Sequence, residues 1–336
     1  MVEKYVRQAL ETCLSMTAED AVLIVTDEET ASLGEVFRDV ATRIAPDRTH
    51  HYFVMESFGE RGGETPLAFP QIIAEKLGEV DVSVYAARSG QGELASFRLP
   101  LLEAVKAVGR IRHGHMPGVS AETLELGFGD DYRRVVKLTA RVFEIVQDAR
   151  RARVTSSLGT DLSVEFNPAY RWVKSDAIIG PGEWGNIPSG EVFTCVETCS
   201  GTLVVDGEVG DYLCSRYGVL ADTPVTIQID GGRAVSVACD NPALVADLEQ
   251  YFRIDENANR VGEFAVGTNI NVTRLIGNML LDEKYPGMHV AFGSGYPERT
   301  GATWTGKGHL DCVVTKPTIV ADEWVIMERG AFLLDM

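Results

Sequence analysis

The pattern of apolar and polar positions changes character midway along the chain. In the first half, short and wholly apolar runs alternate with segments of helical period. Residues 21–26 (AVLIVT), 51–55, 80–86 and 109–116 read as strands, and 31–44, 67–77 and 99–108 carry apolar residues at helical spacing. Buried strands separated by helices imply a parallel sheet covered on both faces. Ahead of them, residues 1–16 form an amphipathic helix pattern with Tyr5, Val6, Ala9, Leu10, Cys13 and Leu14 on its apolar side. Residues 121–152 read as a charged, helical connection.

From about Arg153 the signals become those of strands and turns: 158–162, 192–198, 201–206, 224–230 and 233–238, with one helix over 241–252. Gly231-Gly232 between two of these runs is a two-residue hairpin signal. The expectation is an α/β domain with a parallel sheet over 1–150, followed by an α+β domain over 151–336 with largely antiparallel strands. A length of 336 residues also favours two cores over one. No Gly-x-Gly-x-x-Gly follows the first strand, so a dinucleotide fold of the usual kind is not supported.

Composition narrows the partners. A net charge of −18 argues against nucleic acid, whose phosphates select basic surfaces. No run approaches the roughly 18 apolar residues that span a membrane, and the N-terminus lacks the basic and apolar regions of a secretion signal. Six cysteines, at 13, 195, 199, 214, 239 and 312, form no disulfide framework, and a reducing cytoplasm is the natural compartment. Cys195 and Cys199 read as buried packing residues.

The candidate chemistry lies in the second half. Gly308-His309-Leu310-Asp311-Cys312-Val313-Val314 reads as a strand, on which His309 and Asp311 share one face and Leu310 and Cys312 the other. An imidazole beside a carboxylate suits a divalent ion such as zinc, cobalt or manganese. Glu263 stands among small and apolar residues, where a bare carboxylate needs an ion, an arginine or a proton. Taken singly, the remaining candidates have ordinary readings. Glu191 opens a strand and reads as solvated; Glu283, in Asp282-Glu283-Lys284, reads equally as a surface charge run. His289 reads as a core histidine and Tyr296 as a packing residue. His113 and His115 share a strand face but have no carboxylate beside them in sequence.

Taken together, the local contexts are more specific. Gly159-Thr160-Asp161-Leu162, Asn186-Ile187-Pro188-Ser189-Gly190-Glu191-Val192-Phe193-Thr194, the strand Gly-Thr-Leu-Val-Val-Asp at 201–206, Gly262-Glu263, Asp282-Glu283, His289 with Ala291 and Gly293, Tyr296-Pro297 and His309-x-Asp311 follow one another in order. In this the chain resembles the aminopeptidase T and aminopeptidase S family of metallo-aminopeptidases, the thermophilic leucyl aminopeptidase type. The resemblance implies a dinuclear metal site in the C-terminal domain, with Glu191, Glu263, Glu283, His289, His309 and Asp311 binding or bracketing two divalent ions (zinc, cobalt or manganese). It places Tyr296 beside that pair, where its hydroxyl can donate to the oxyanion, and a carboxylate not fully used as a ligand, with Glu263 the first choice, can act as general base. The substrate is then a peptide or small amide with a free amine, and the assembly a homodimer whose N-terminal half shapes access. The same fold is similar to that of ring-opening dioxygenases acting on dihydroxypyridines with a single iron. Those enzymes carry a histidine at the position of Glu263 and apolar residues at those of Glu191 and His289, whereas this chain keeps both acids and His289.

Overall fold

The computed structural model describes residues 2–61, 66–88, 90 and 92–334; Met1, at the start of the expected first helix, lies outside them. The chain divides into two compact units, Met1–Arg133 with Ala177–Ser189, and Arg134–Asp176 with Gly190–Met336. Their boundary falls at Arg133/Arg134 rather than near 150, and a segment from the second half of the sequence returns to the first unit.

The first unit is built on a parallel sheet of five strands, in the order His51–Val54, Val22–Thr26, Val82–Ala86, Arg112–His115 and Trp184–Asn186. Val22–Thr26 and Val82–Ala86 are buried at every position, as unbroken apolar runs require. Helices Ala31–Ile44, Gln71–Leu77 and Leu99–Val108 connect the strands. The second begins at Gln71 rather than 67 because Pro70 stands immediately before it and favours a helix start over a helix interior. The expected strand over 109–116 contracts to Arg112–His115, since Gly109 closes the preceding helix in a left-handed conformation. The fifth strand was not legible in the sequence: Trp-Gly-Asn carries no alternation. The N-terminal helix runs from Glu3 to Cys13, α-helical through Arg7 and then wider, with a π-type turn.

His113 and His115 lie within this sheet, 1% and 2% exposed. His113 Nδ1 is 2.7 Å from Ser83 Oγ, His113 Nε2 is 3.2 Å from His115 Nδ1, and Arg98 Nε donates to His115 Nε2 at 3.1 Å. That donor fixes His115 as the Nδ1–H tautomer and His113 in turn. Burial lowers both, His113 to about 3 and His115 well below its ordinary value, with His113 and Arg98 adding repulsion at His115. These imidazoles stay neutral in the fold but protonate near 6.5 in the unfolded chain. Their stabilising contribution is therefore full above pH 6.5 and is lost as pH falls below it, by about 1.4 kcal/mol per pH unit for each ring. Comparing urea unfolding of the wild type with His115→Gln checks this. The stability difference should narrow from pH 7 to pH 5, and a constant difference would show that His115 does not stay neutral.

The second unit holds two antiparallel sheets. One has eight strands, in the order Arg233–Ala238, Val225–Asp230, Val196–Val205, Asp161–Phe166, Arg151–Thr155, Thr318–Ala321, Trp324–Glu328 and Ala331–Phe332. The other has five, in the order His309–Thr315, Gly287–Gly293, Val261–Gly267, Glu191–Thr194 and Val173–Ser175. One apolar core joins them, with Leu162, Val164, Leu203 and Val205 from the first and Val192, Phe264, Val266, Val290, Phe292 and Cys312 from the second. The hairpin across Gly231-Gly232 forms as expected, with both glycines at positive φ.

Two further expectations are corrected. The helical reading of 121–152 resolves into helices Ala121–Phe128 and Arg133–Val146 and the start of the strand Arg151–Thr155; Gly129, at positive φ, ends the first. The single strand expected over 192–198 is two strands, because the chain turns between sheets at Cys195. Burial pushes the thiols of Cys195 and Cys199 up to about 12. Among the described residues no group of metal-type donors includes a thiol, and no helix is long and apolar enough to cross a membrane.

Candidate metal centre

Strand register brings the candidate residues to one face of the five-stranded sheet. Across the ladder Glu191 is opposite Gly267, Glu263 and Asp311 are each opposite Ala291, His289 is opposite Ala265, and His309 is opposite Gly293. Each polar side chain thus has glycine or alanine on at least one neighbouring strand, which leaves a hollow for long side chains to enter. The other face of the same strands, with Val192, Phe264, Val266, Val290, Phe292, Leu310 and Cys312, belongs to the core. A β-bulge between Val261 and Glu263 switches parity, so that Val261 joins Phe292 in the core while Glu263 turns into the hollow. Gly262 is required there: a Cβ would lie 2.4 Å from the carbonyl oxygen of Gly293.

All of the expected site residues meet. His289 Nε2 lies 3.1 Å from Glu263 Oε1, 3.6 Å from Glu191 Oε2 and 3.8 Å from Asp311 Oδ1. His309 Nε2 lies 3.1 Å from Asp311 Oδ1 and 3.9 Å from Glu263 Oε2. The His309 Nδ1 is 2.9 Å from the carbonyl oxygen of Ser294; donating its proton there turns Nε2 toward the acids. Tyr296 packs its ring 4.5 Å, centroid to centroid, from that of His309. Burial and the surrounding carboxylates hold its phenol well above the ordinary range, so it remains an O–H donor. Glu283, ambiguous in sequence, is drawn inward at the end of the short helix Met279–Asp282.

Lys284 was not singled out in the sequence. It is 2% exposed, and its ammonium lies 2.6 Å from Glu191 Oε1 and also donates to Glu283 Oε1. In a run of Asp-Glu-Lys its burial has no sequence signal. The segment that carries it is anchored from behind. Asp282 Oδ2 accepts the backbone N–H groups of Ile276, Gly277 and Asn278 at 2.9, 2.8 and 3.0 Å. Beside it Glu208 is raised to about 9 by burial and by Asp282. Gly267 is the floor of this segment, since a Cβ there would stand 2.1 Å from the Tyr285 carbonyl oxygen and 2.9 Å from the Lys284 carbonyl carbon. Gly267→Ala is expected to displace residues 283–285 and to cost about 1–3 kcal/mol of stability, with loss of activity. A variant with wild-type urea midpoint and turnover would count against this packing.

The donor set fits divalent cations. The buried carboxylates of Glu191, Glu263 and Asp311 and the partly buried one of Glu283 share a pocket with one fixed ammonium, and unpaired buried charge is costly. Protons make up the deficit. Burial first, then Asp311 and Glu191, raise Glu283 to about 8. His289 rises to about 9 and His309 to about 10, the neighbouring carboxylates outweighing burial at both. Divalent ions would neutralise the same charge. Three groups of donors lie close enough to grip an ion: Glu191, Glu263 and His289; Glu263, His309 and Asp311; and Glu283, His289 and Asp311.

Comparison with known proteins gives the following. A family model described as thermophilic metalloprotease (M29) matches residues 132–310, more than half of the chain. No curated protein sequence matches it. Among solved structures, it is similar to 2,5-dihydroxypyridine dioxygenase from Pseudomonas putida KT2440, with a TM-score of 0.69 and 17% identity over 99% of this chain and 97% of that one. It is equally similar to wild-type AmpT from Thermus thermophilus, with a TM-score of 0.68 and 18% identity over 99% of each chain. At such identities these two likenesses speak for the fold alone.

Proposed function

This chain belongs to the thermophilic metalloprotease (M29) family, hydrolases of peptide bonds, and on that premise we propose that it is a metal-dependent aminopeptidase. It would cleave the N-terminal peptide bond of a peptide, or a related small amide with a free amine. The observation that carries the reading is the placement of Glu263 between two imidazoles, with Oε1 toward His289 and Oε2 toward His309. Two donor groups, Glu191/Glu263/His289 and Glu263/His309/Asp311, then share one carboxylate and could hold two ions, with Glu283 bracketing the pair. The donors include no thiolate and suit zinc, cobalt or manganese alike. Bound divalent ions supply Lewis-acid polarisation of the scissile carbonyl and an acidified water at neutral pH.

The protein's own groups do the rest. The base is a carboxylate not fully used as a ligand, with Glu263 the first choice: its free oxygen takes the proton of the attacking water and passes it to the leaving amine nitrogen. The Tyr296 hydroxyl donates to the oxygen of the tetrahedral intermediate. A carboxylate of the cluster pairs with the substrate α-ammonium, which restricts cleavage to the first residue. A reducing cytoplasm belongs to the same reading, supported by six cysteines without a disulfide; a homodimer rests on the family resemblance. The alternative is a single-iron dioxygenase of the same fold, with which this chain shares the imidazole and carboxylate of His309 and Asp311 but not the histidine at the position of Glu263. Elemental analysis with an aminoacyl anilide assay separates the two. We expect about two divalent ions per chain, and dye release that a chelator abolishes and added ions restore. One iron per chain, or no turnover of any free-amine amide with ions bound, would discard the aminopeptidase reading.

A further inference from the structure

Lys284 is the charged residue that the catalytic scheme leaves unused. Its ammonium is buried against one oxygen of Glu191 and one of Glu283. The remaining oxygen of Glu191, Oε2, is the one turned toward His289. The two acids come from separate elements: Glu191 opens the strand Glu191–Thr194, and Glu283 caps the helix Met279–Asp282. The backbone makes this bridge short. Gly267, the ladder partner of Glu191, lies against the carbonyls of residues 283–285, and the N–H of Asn269 donates to the Lys284 carbonyl at 2.9 Å.

We propose that Lys284 is a positioning residue of the metal centre, its ammonium fixing Glu191 and Glu283 from behind so that their free oxygens point toward the ion-binding side. The inference rests on the metal-centre reading above. The physical basis is that a carboxylate held by a charge-assisted hydrogen bond on one oxygen loses its rotational freedom before the ion arrives. The ammonium also offsets one of the four negative charges, which lowers the repulsion that would otherwise splay the empty cluster. Methionine at this position would keep the stem and remove the bridge.

The test is titration of the ion-stripped protein with Zn2+ and, separately, Mn2+, comparing wild type with Lys284→Met. Far-UV circular dichroism checks the fold of each. The expected result is the same number of ions per chain, bound about 10–100-fold more weakly by the variant. Unchanged or tighter binding by a folded variant would overturn the proposal. An additional ion per chain would also overturn it, since the ammonium would then occupy an ion's place rather than position its ligands. Should the methionine variant not fold, Lys284→Gln, which keeps N–H donors but no charge, carries the same comparison and the same expectation. A wild-type protein that binds neither ion would instead refute the metal centre itself.

Discussion

Glu263→Gln is expected to leave the protein folded and to lower kcat by about 10²–10⁴-fold, the range that a lost general base costs. Glutamine matches the shape of glutamate at this bulged position, so the strand pairing and the switch of Val261 into the core should persist. What it removes is a charge and a basic oxygen. Glu263 also belongs to both donor groups on either side of it, so ion affinity should fall together with turnover. Rates measured at saturating ion separate the two effects. A variant that turns over normally once saturated would remove Glu263 as the base and leave it a ligand only.

The second large effect concerns stability. Without ions the cluster sets the carboxylates of Glu191, Glu263, Asp311 and the partly buried Glu283 against one lysine, relieved by protons on Glu283, His289 and His309. An ion that binds the folded state alone stabilises it by about 2.7 kcal/mol at a concentration one hundred times its dissociation constant. For a unit of this size that corresponds to a rise in Tm of roughly 5–11 °C. Thermal melts with and without a chelator measure it. Superimposable curves would mean that the cluster is satisfied without cations, and the argument from excess negative charge would fail.

How much of this was legible depended on whether the information was local. Val22–Thr26 and Val82–Ala86 announced themselves because a strand buried on both faces must be apolar throughout. The pairing of His309 with Asp311 followed from the two-residue period of a strand, and the imidazole and carboxylate do lie 3.1 Å apart. The chain's turn at Cys195 and the strand Trp184–Asn186 were hidden, because neither a change of sheet nor a three-residue edge strand leaves a periodic mark. Glu283 and Lys284 misled for a related reason: a charged pair reads as solvated unless something distant buries it. The alanines and glycines that face Glu191, Glu263, His289, His309 and Asp311 were visible one by one, but their meaning lies in cross-strand register.

By itself, then, the sequence determined the division into a parallel α/β half and an antiparallel half, and the residue types able to grip a divalent ion. Those follow from periodicity and side-chain chemistry, which act over a few neighbouring residues. Only the tertiary structure decided that four acids and two imidazoles share one hollow, that a bulge at Gly262 turns Glu263 into it, and that Lys284 braces two of the acids. Residues nearly a hundred positions apart, such as Glu191 and His289, come into contact only through strand order, and the energy of a buried charge depends on every other charge brought in with it.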